Sequence, residues 1–416
     1  MRELFFTVSL NISLLFFAIY AILGKSFNID TDSFIYIITS VSFAIISILI
    51  VIIDQFKSPK PFIVRKINLF FYSLPLIFCF FYLIENPTSE NGFRYFSIYL
   101  TFSLPAIFIG LNIAINNLLP KMIKWWELIM LILSLALFLS IPNILITNVI
   151  SIGGGLDYQR ISYLAAFAYC LNLYLILYGS NHNRFIFCYS KTYKVLSILL
   201  LILQTAIVFI SGGRGGFILL LISTFVLIYL KLKVGFNYKL FIKGLLLATL
   251  FMFLFFRSAP PELLEVIEKG NKRLFAYFTP YGINFSETSG RDIYYAKAVE
   301  VVKDRPINGY GIFGYVDRTG DYPHNLILEI LLQGGIFLLF IWIVIFTKFY
   351  KKVKYLISTD STNMIIIPLF IYPLVELLFS GSYLLSPLYW FVLSYVFSYN
   401  LQAKKYDLNH LLISKS

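Results

Sequence analysis

The sequence predicts an all-α, polytopic transmembrane helical bundle of about twelve spans, with one long extracytoplasmic loop containing short helices. Three observations predict it. First, hydrophobic residues make up 59% of the 416 residues and charged residues 13%, with a mean hydropathy of +0.81. A soluble domain carries roughly 25% charge, and a surface facing water cannot be built from half of that. Second, apolar runs of about 20 residues recur, the length that crosses a hydrocarbon core about 30 Å thick at 1.5 Å per residue. Third, Lys and Arg lie in short segments between those runs, as the positive-inside rule requires.

The spans fall at about 4–23, 34–53, 67–84, 95–115, 125–141, 161–179, 195–210, 216–230, 240–256, 325–347, 364–379 and 385–400. The first follows a lone Arg2. It is long for a signal-peptide core and lacks an A-x-A site, so it reads as a retained span. With the N-terminus in the cytoplasm, inside segments hold 21 of the 34 Lys and Arg. Short outside loops hold Lys25, Arg94, Arg160 and Arg214, and nine more basic residues lie in 257–324. Every short loop pair is asymmetric in the same direction, so both termini are expected in the cytoplasm. The chain then divides into 1–256 (spans one to nine), the extracytoplasmic loop 257–324, and 325–416 (spans ten to twelve and a cytoplasmic tail).

The net charge of +13 follows from this topology and does not indicate nucleic acid, since no basic groove interleaved with aromatics is present. Cys79 and Cys170 fall inside predicted spans and Cys188 in a cytoplasmic loop, so no disulfide framework is implied. The sequence has no Walker loop, Rossmann glycine fingerprint, H-E-x-x-H or C-x-x-C.

The loop 257–324 is the one sizeable polar segment. Pro260-Pro261 can open a first helix, with Leu263, Leu264 and Ile267 on one face. Ser289-Gly290 precedes a second helix from Arg291 to about Lys303, with Ile293, Val299 and Val302 as its apolar positions and Pro306 as its stop. Asn308 to Gly314 then reads as a glycine-punctuated loop.

Polar chemistry concentrates at the predicted outer face. Ser211-Gly212-Gly213-Arg214-Gly215-Gly216 forms the whole turn between spans seven and eight. Glycines let backbone approach an anion closely, and guanidinium binds phosphate oxygens in pairs. The plainer reading is a tight helical hairpin with one snorkelling arginine. An outer arginine enclosed by four glycines favours binding. Arg160 follows the glycine-rich run 153–155, and it is either an interfacial anchor paired with Asp157 or part of a site. Arg291 is either an exposed charge beside Asp292 or a ligand. Lys269, Lys272 and Arg273 read as a solvated loop face. His324 is the one histidine on the outer face, since His182 falls in a cytoplasmic loop and His410 in the tail. It either caps span ten together with Asn325 or serves as a base, because a helix N-terminus disfavours imidazolium and keeps the ring neutral.

Arg291-Asp292-Ile293-Tyr294-Tyr295, Arg305-Pro306-Ile307-Asn308-Gly309-Tyr310-Gly311, and His324-Asn325 with Glu329 and Gly334-Gly335 together resemble the O-antigen polymerase and ligase superfamily. So do the glycine-flanked Arg214 and the placement of Arg160. The resemblance is strong over 291–335 and loose over the rest. It implies a glycosyltransferase of the bacterial inner membrane that takes glycans from undecaprenyl diphosphate at the periplasmic face, inverts the anomeric carbon, and needs neither metal nor nucleotide cofactor. It implies that 257–324 is a catalytic loop, with His324 and Arg291 catalytic. Arg160, Arg214 and Arg291 would bind the diphosphate, and Asn325, Gly309 and Gly311 would support them. The residue chemistry agrees. Departure of a diphosphate needs fixed positive charge near the developing anion, and attack by a sugar hydroxyl needs a base.

The compact Asn308–Gly314 loop and the short interval from Arg291 to His324 favour a polymerase of repeat units, for O-antigen, capsule or exopolysaccharide. A ligase passing the chain to lipid A-core is the alternative. Expected partners are undecaprenyl-diphosphate-linked glycans, membrane lipids and a chain-length regulator, and no nucleic acid. The rival from another class is a lipid-linked glycan flippase. Transporters carry ionisable groups near the midplane, whereas here only a few acids such as Glu127 and Glu376 fall inside spans.

Overall fold

The computed structural model describes residues 1–23, 34–57, 66–147, 158–179, 191–233, 261–274, 278–279, 282–283, 291–359 and 361–399. The ninth predicted span (240–256), the glycine run 153–155 with Asp157, Cys188, His182, His410 and the tail lie outside these residues. The described chain is a helical bundle: α1 (Arg2–Leu10), α2 (Ile12–Leu23), α3 (Phe34–Lys57), α4 (Lys66–Glu85), α5 (Glu90–Ile98), α6 (Leu104–Asn116), α7 (Leu119–Thr147), α8 (Tyr158–Tyr178), α9 (Lys191–Ser211) and α10 (Arg214–Lys233). The polar loop supplies α11 (Pro261–Leu274), a two-residue hairpin of β1 (Phe278–Thr279) and β2 (Gly282–Ile283), α12 (Arg291–Asp304) and α13 (Val316–Thr319). The chain closes with α14 (Leu326–Thr359), α15 (Ile366–Phe379) and α16 (Pro387–Ser398). The antiparallel hairpin pairs Phe278 with Ile283 and Thr279 with Gly282. No strand was expected from the sequence.

Nine helices among the described residues are long and apolar enough to cross a membrane, or ten if the bent pair α1–α2 is one span. The difference from about twelve has identifiable causes. The predicted run 4–23 bends by 79° at Asn11. There the Thr7 hydroxyl donates to the Glu3 carbonyl (2.8 Å) and the Asn11 amide to the Thr7 carbonyl (2.7 Å), competing with the helical ladder. The predicted run 385–400 forms a 12-residue helix opened by Pro387, too short at 1.5 Å per residue to cross alone.

At the centre of the bundle, α8 has 94% of its best apolar window buried. Its Ala165, Ala166 and Ala168 are completely buried, and small side chains let neighbouring helices come close where hydrophobic drive between them is weak. It packs against α7, α9 and α10. A second centre joins α6 and α16, where Gly110 abuts Ser394 and the Phe391 carbonyl. By contrast α3 exposes Phe34, Ile35, Ile45 and Leu49, an apolar face suited to lipid. The predicted loop helices form with nearly the expected limits. Within α12, Ala298 is buried and Val302 packs partly against the core while Ile293 and Val299 are exposed, so only part of the expected apolar stripe makes a packed face.

Candidate functional site

The elements of loop 257–324 are fastened to the bundle by backbone and side-chain contacts. α14 is broken at Gly334 and at Gly335, whose φ is +60°. The segment before α13 fills the break. Tyr310 N donates to the Leu332 carbonyl and Gly311 N to that of Gln333 (both 2.8 Å), while Ile336 N and Phe337 N donate to the Pro306 (2.8 Å) and Ile307 (3.3 Å) carbonyls. A Cβ on Gly335 would sit 2.3 Å from the Ile307 carbonyl group, and one on Gly309 2.5 Å from Gln333 backbone. Next in the chain, the Glu85 carboxylate accepts from the amides of Ile312 (2.8 Å), Phe313 (2.5 Å) and Gly314 (2.8 Å). Gly311 leaves room for it, since a Cβ there would be 2.3 Å from that carboxylate. Gly309 and Gly311 therefore act through backbone passage. Asp317 accepts from Thr88 N (2.8 Å) and Ser89 N (2.9 Å). Burial is the largest single influence and opposes its ionisation, but the hydrogen bonds from Ser89 and Thr88 together outweigh it and hold its carboxyl down at about 2.

This scaffold brings Arg291 and His324 to one residue, Ser380, just past the end of α15. The Arg291 Nη2 donates to Ser380 Oγ at 3.3 Å. His324 Nδ1 lies 3.3 Å from the Ser380 carbonyl, and the Tyr322 hydroxyl donates to the same carbonyl at 3.1 Å. The Ser380 hydroxyl reaches Gln159 Oε1 at 3.4 Å, and the Tyr163 hydroxyl lies 3.5 Å from Ser380 Oγ. A carbonyl can only accept, so the contact assigns the proton to His324 Nδ1, which leaves Nε2 of the neutral ring as an acceptor.

His324 adopts φ +53°, a left-handed conformation that costs a non-glycine residue of order 1 kcal/mol and is held by its surroundings. Its ring packs edge-to-face with Tyr322 (4.5 Å) and Tyr294 (5.4 Å). Burial pushes its pKa below the usual imidazole value, the Arg291 charge adds to this, and the Ser380 carbonyl and Asp321 oppose it. The helix cap belongs to Asn325 by itself, whose Oδ1 accepts from Ile327 N (3.0 Å) and Leu328 N (3.1 Å). The shared cap entertained from the sequence is not formed, because the His324 ring turns toward Ser380.

Arg214 opens α10, and the turn before it is set on the start of α8. The Ser162 hydroxyl donates to the Gly213 carbonyl at 2.9 Å. A Cβ on Gly216 would lie 2.1 Å from Ser162 Oγ, and one on Gly215 1.8 Å from the Tyr163 hydroxyl. The glycines thus permit a close helix–turn approach that connects the Arg214 turn, through Tyr163, to Ser380. Gly270 of α11 abuts the Phe209 and Ile210 carbonyls, which places the loop helix at the same end of α9. Arg160 is exposed, 5.4 Å from the Phe17 ring centroid, and its charge acts on Tyr322 and Glu376. Arg291 and His324 therefore converge on Ser380, one at its hydroxyl and the other at its carbonyl. Arg160 lies on the first turn of α8, and the backbone of the turn that carries Arg214 is set against Ser162 and Tyr163 of the same helix, while Asn325, Gly309 and Gly311 position the segments around Arg291 and His324.

Sequence reasoning missed Ser380, Gln159 and Tyr163. Ser380-Gly381-Ser382 was visible as a small polar break between two apolar runs, but its role depends on tertiary proximity. It also missed that Glu329, buried in the first turn of α14, accepts from the hydroxyls of Tyr315 (3.1 Å) and Ser382 (2.5 Å) and so ties the Ser380 segment to α14.

Fold and site define a polytopic membrane protein with a cluster of charged, imidazole and phenol groups around Ser380. Residues 196–343 match the family model described as O-Antigen ligase. This supports the O-antigen ligase and polymerase superfamily and a membrane enzyme of that type. The matched stretch runs from α9 into α14 and includes Arg214, Arg291 and His324. Comparison with curated proteins and with solved structures gives no match.

Proposed function

We propose that the protein is a membrane glycosyltransferase that polymerises undecaprenyl-diphosphate-linked oligosaccharide repeat units into O-antigen or a related surface polysaccharide, at the periplasmic face of the bacterial inner membrane. The observation that carries the reading is the meeting of Arg291 and His324 at Ser380. A guanidinium and a neutral imidazole are held there side by side, with Nε2 as the ring's acceptor.

In this reaction an acceptor sugar hydroxyl attacks the anomeric carbon of the donor, and its proton passes to His324 Nε2. The new glycosidic C–O bond forms as the C–O bond to the diphosphate breaks, and the configuration inverts. The undecaprenyl diphosphate leaves as an anion. Its growing charge is met by Arg291, with Arg160 and Arg214 on the neighbouring helix starts. Fixed donors aimed at developing charge in a site shielded from water stabilise a transition state strongly.

The ligase reading draws support from the description of the matched family model. Deletion of the gene separates the two. Single repeat units capping lipid A-core are the result expected of a lost polymerase. Long carrier-linked chains that never reach lipid A-core would show a ligase. Unextended repeat units trapped at the cytoplasmic face would overturn both in favour of a flippase.

A further inference from the structure

We infer that Tyr294 is the platform on which the acceptor pyranose stacks, an assignment that rests on the proposed transfer reaction. Tyr294 lies one helical turn after Arg291 on α12, and residues three apart share a helix face. Its ring stands nearly perpendicular to that of His324, at an interplanar angle of 81° and a centroid distance of 5.4 Å. Even so, 43% of the residue remains exposed. The neighbouring Tyr295 is half-buried and lies within electrostatic range of Tyr163 on α8. Tyr294 is thus the tyrosine of the pair with an open surface, and it opens beside the imidazole.

The chemistry of such a surface suits a sugar. The axial C–H bonds of a pyranose form a weakly positive, apolar plane, and the face of an aromatic ring is negative and apolar. A pyranose laid on Tyr294 brings its rim hydroxyls toward His324, the group that takes the acceptor proton. The leaving diphosphate belongs with Arg291, on the other side of the bond being made. The platform therefore holds the sugar that supplies the hydroxyl. The competing role for an exposed interfacial tyrosine is membrane anchoring in the aromatic belt, which makes no demand on acceptor affinity.

The test uses full-length purified protein, carrier-linked repeat units from a strain lacking the gene as donor, and the methyl glycoside of that repeat unit as acceptor. The methyl glycoside offers a hydroxyl but cannot act as donor. Tyr294→Ala and Tyr294→Leu are expected to raise the KM for the methyl glycoside about tenfold, the size of one aromatic stacking contact. The KM for donor should change less than about twofold, and Tyr294→Phe should resemble wild type. An acceptor KM within about twofold of wild type in the Ala or Leu variant overturns the platform, as does a Phe variant as weak as Ala. Saturation-transfer NMR with the methyl glycoside gives a readout independent of turnover. If wild-type protein transfers nothing yet binds the glycoside in a Tyr294-dependent way, the transfer reading fails and with it the acceptor role, and Tyr294 is left as a glycan-binding surface.

Discussion

His324 is held by two aromatic rings and one carbonyl in a backbone conformation it would not choose alone. The neighbouring Asn325 carries the helix cap, so the two roles separate by mutation. His324→Ala is expected to lower turnover by about 10²–10⁴-fold while the protein stays folded. Asn325→Ala should cost about 1 kcal/mol of stability and leave turnover nearly intact. Direct polymerisation assays and thermal melts on purified protein check both. Because the folded pKa of His324 is depressed, its ring stays neutral to lower pH than in the unfolded chain. The base is active unprotonated, so kcat should rise with pH through a value below 6.5, and His324→Ala should lose that limb. The same shift makes the stability contribution of His324 complete above pH 6.5 and lost as pH falls through the folded pKa. Arg291→Lys and Arg214→Lys should not restore activity to their Ala variants, because an ammonium lacks the planar fork that grips two phosphate oxygens. Near-wild-type polymerisation by Arg214→Ala at matched protein level would remove that residue from the site, and Arg160 is tested in the same way. The convergence of His324 and Arg291 could be anticipated in sequence because both lie in one short polar segment and their types limit their chemistry. Ser380 was not, because a serine beside a glycine at a span end looks the same whether it closes a turn or gathers a site.

The glycines of α14 and of the loop before α13 set how these elements fit. Gly335→Ala has to place a Cβ 2.3 Å from the Ile307 carbonyl group at φ +60°. It should cost about 1–3 kcal/mol through backbone strain alone, read as a lower melting temperature in detergent together with a loss of activity. Gly320, at φ +81° with nothing within 4 Å of its missing Cβ, provides the contrast: alanine there carries the strain without the collision and should lose less. The helices at this end could be read from the sequence because hydropathy and proline punctuation are local signals. The break in α14 could not. Gly334-Gly335 lies inside a continuous apolar run, and what unwinds it is a strand of loop backbone about 25 residues earlier in the chain. The bend at Asn11 escaped for a related reason, since Thr7 and Asn11 alter the helix through hydrogen bonds that average hydropathy does not register.

At the scale of the whole molecule, the polar loop should face the periplasm and the segments containing Lys57 and Lys351 the cytoplasm. After removal of Cys79, Cys170 and Cys188, an impermeant thiol reagent added from outside should label a cysteine at Ser286 and leave one at Ser361 untouched; the reverse pattern would invert the topology. The alternation of basic residues made this expectation possible, whereas the number of spans depended on breaks that composition conceals. The splice between Pro306–Gly311 and Leu332–Phe337 also has a mechanical meaning. It makes α12 and the first part of α14 two arms of one stiff bracket, with Arg291 on one arm and His324 at the root of the other. Parting those arms would break four backbone hydrogen bonds, so any opening of the site has to come from its other side. The side that can yield is the one built from Ser380 and the start of α8, which meets the bracket through side chains, with Arg291 and His324 at 3.3 Å, Tyr322 at 3.1 Å and Ser382 on Glu329 at 2.5 Å. Amide hydrogen exchange should therefore be slow at Tyr310, Gly311 and Ile336 and quicken first around Ser380.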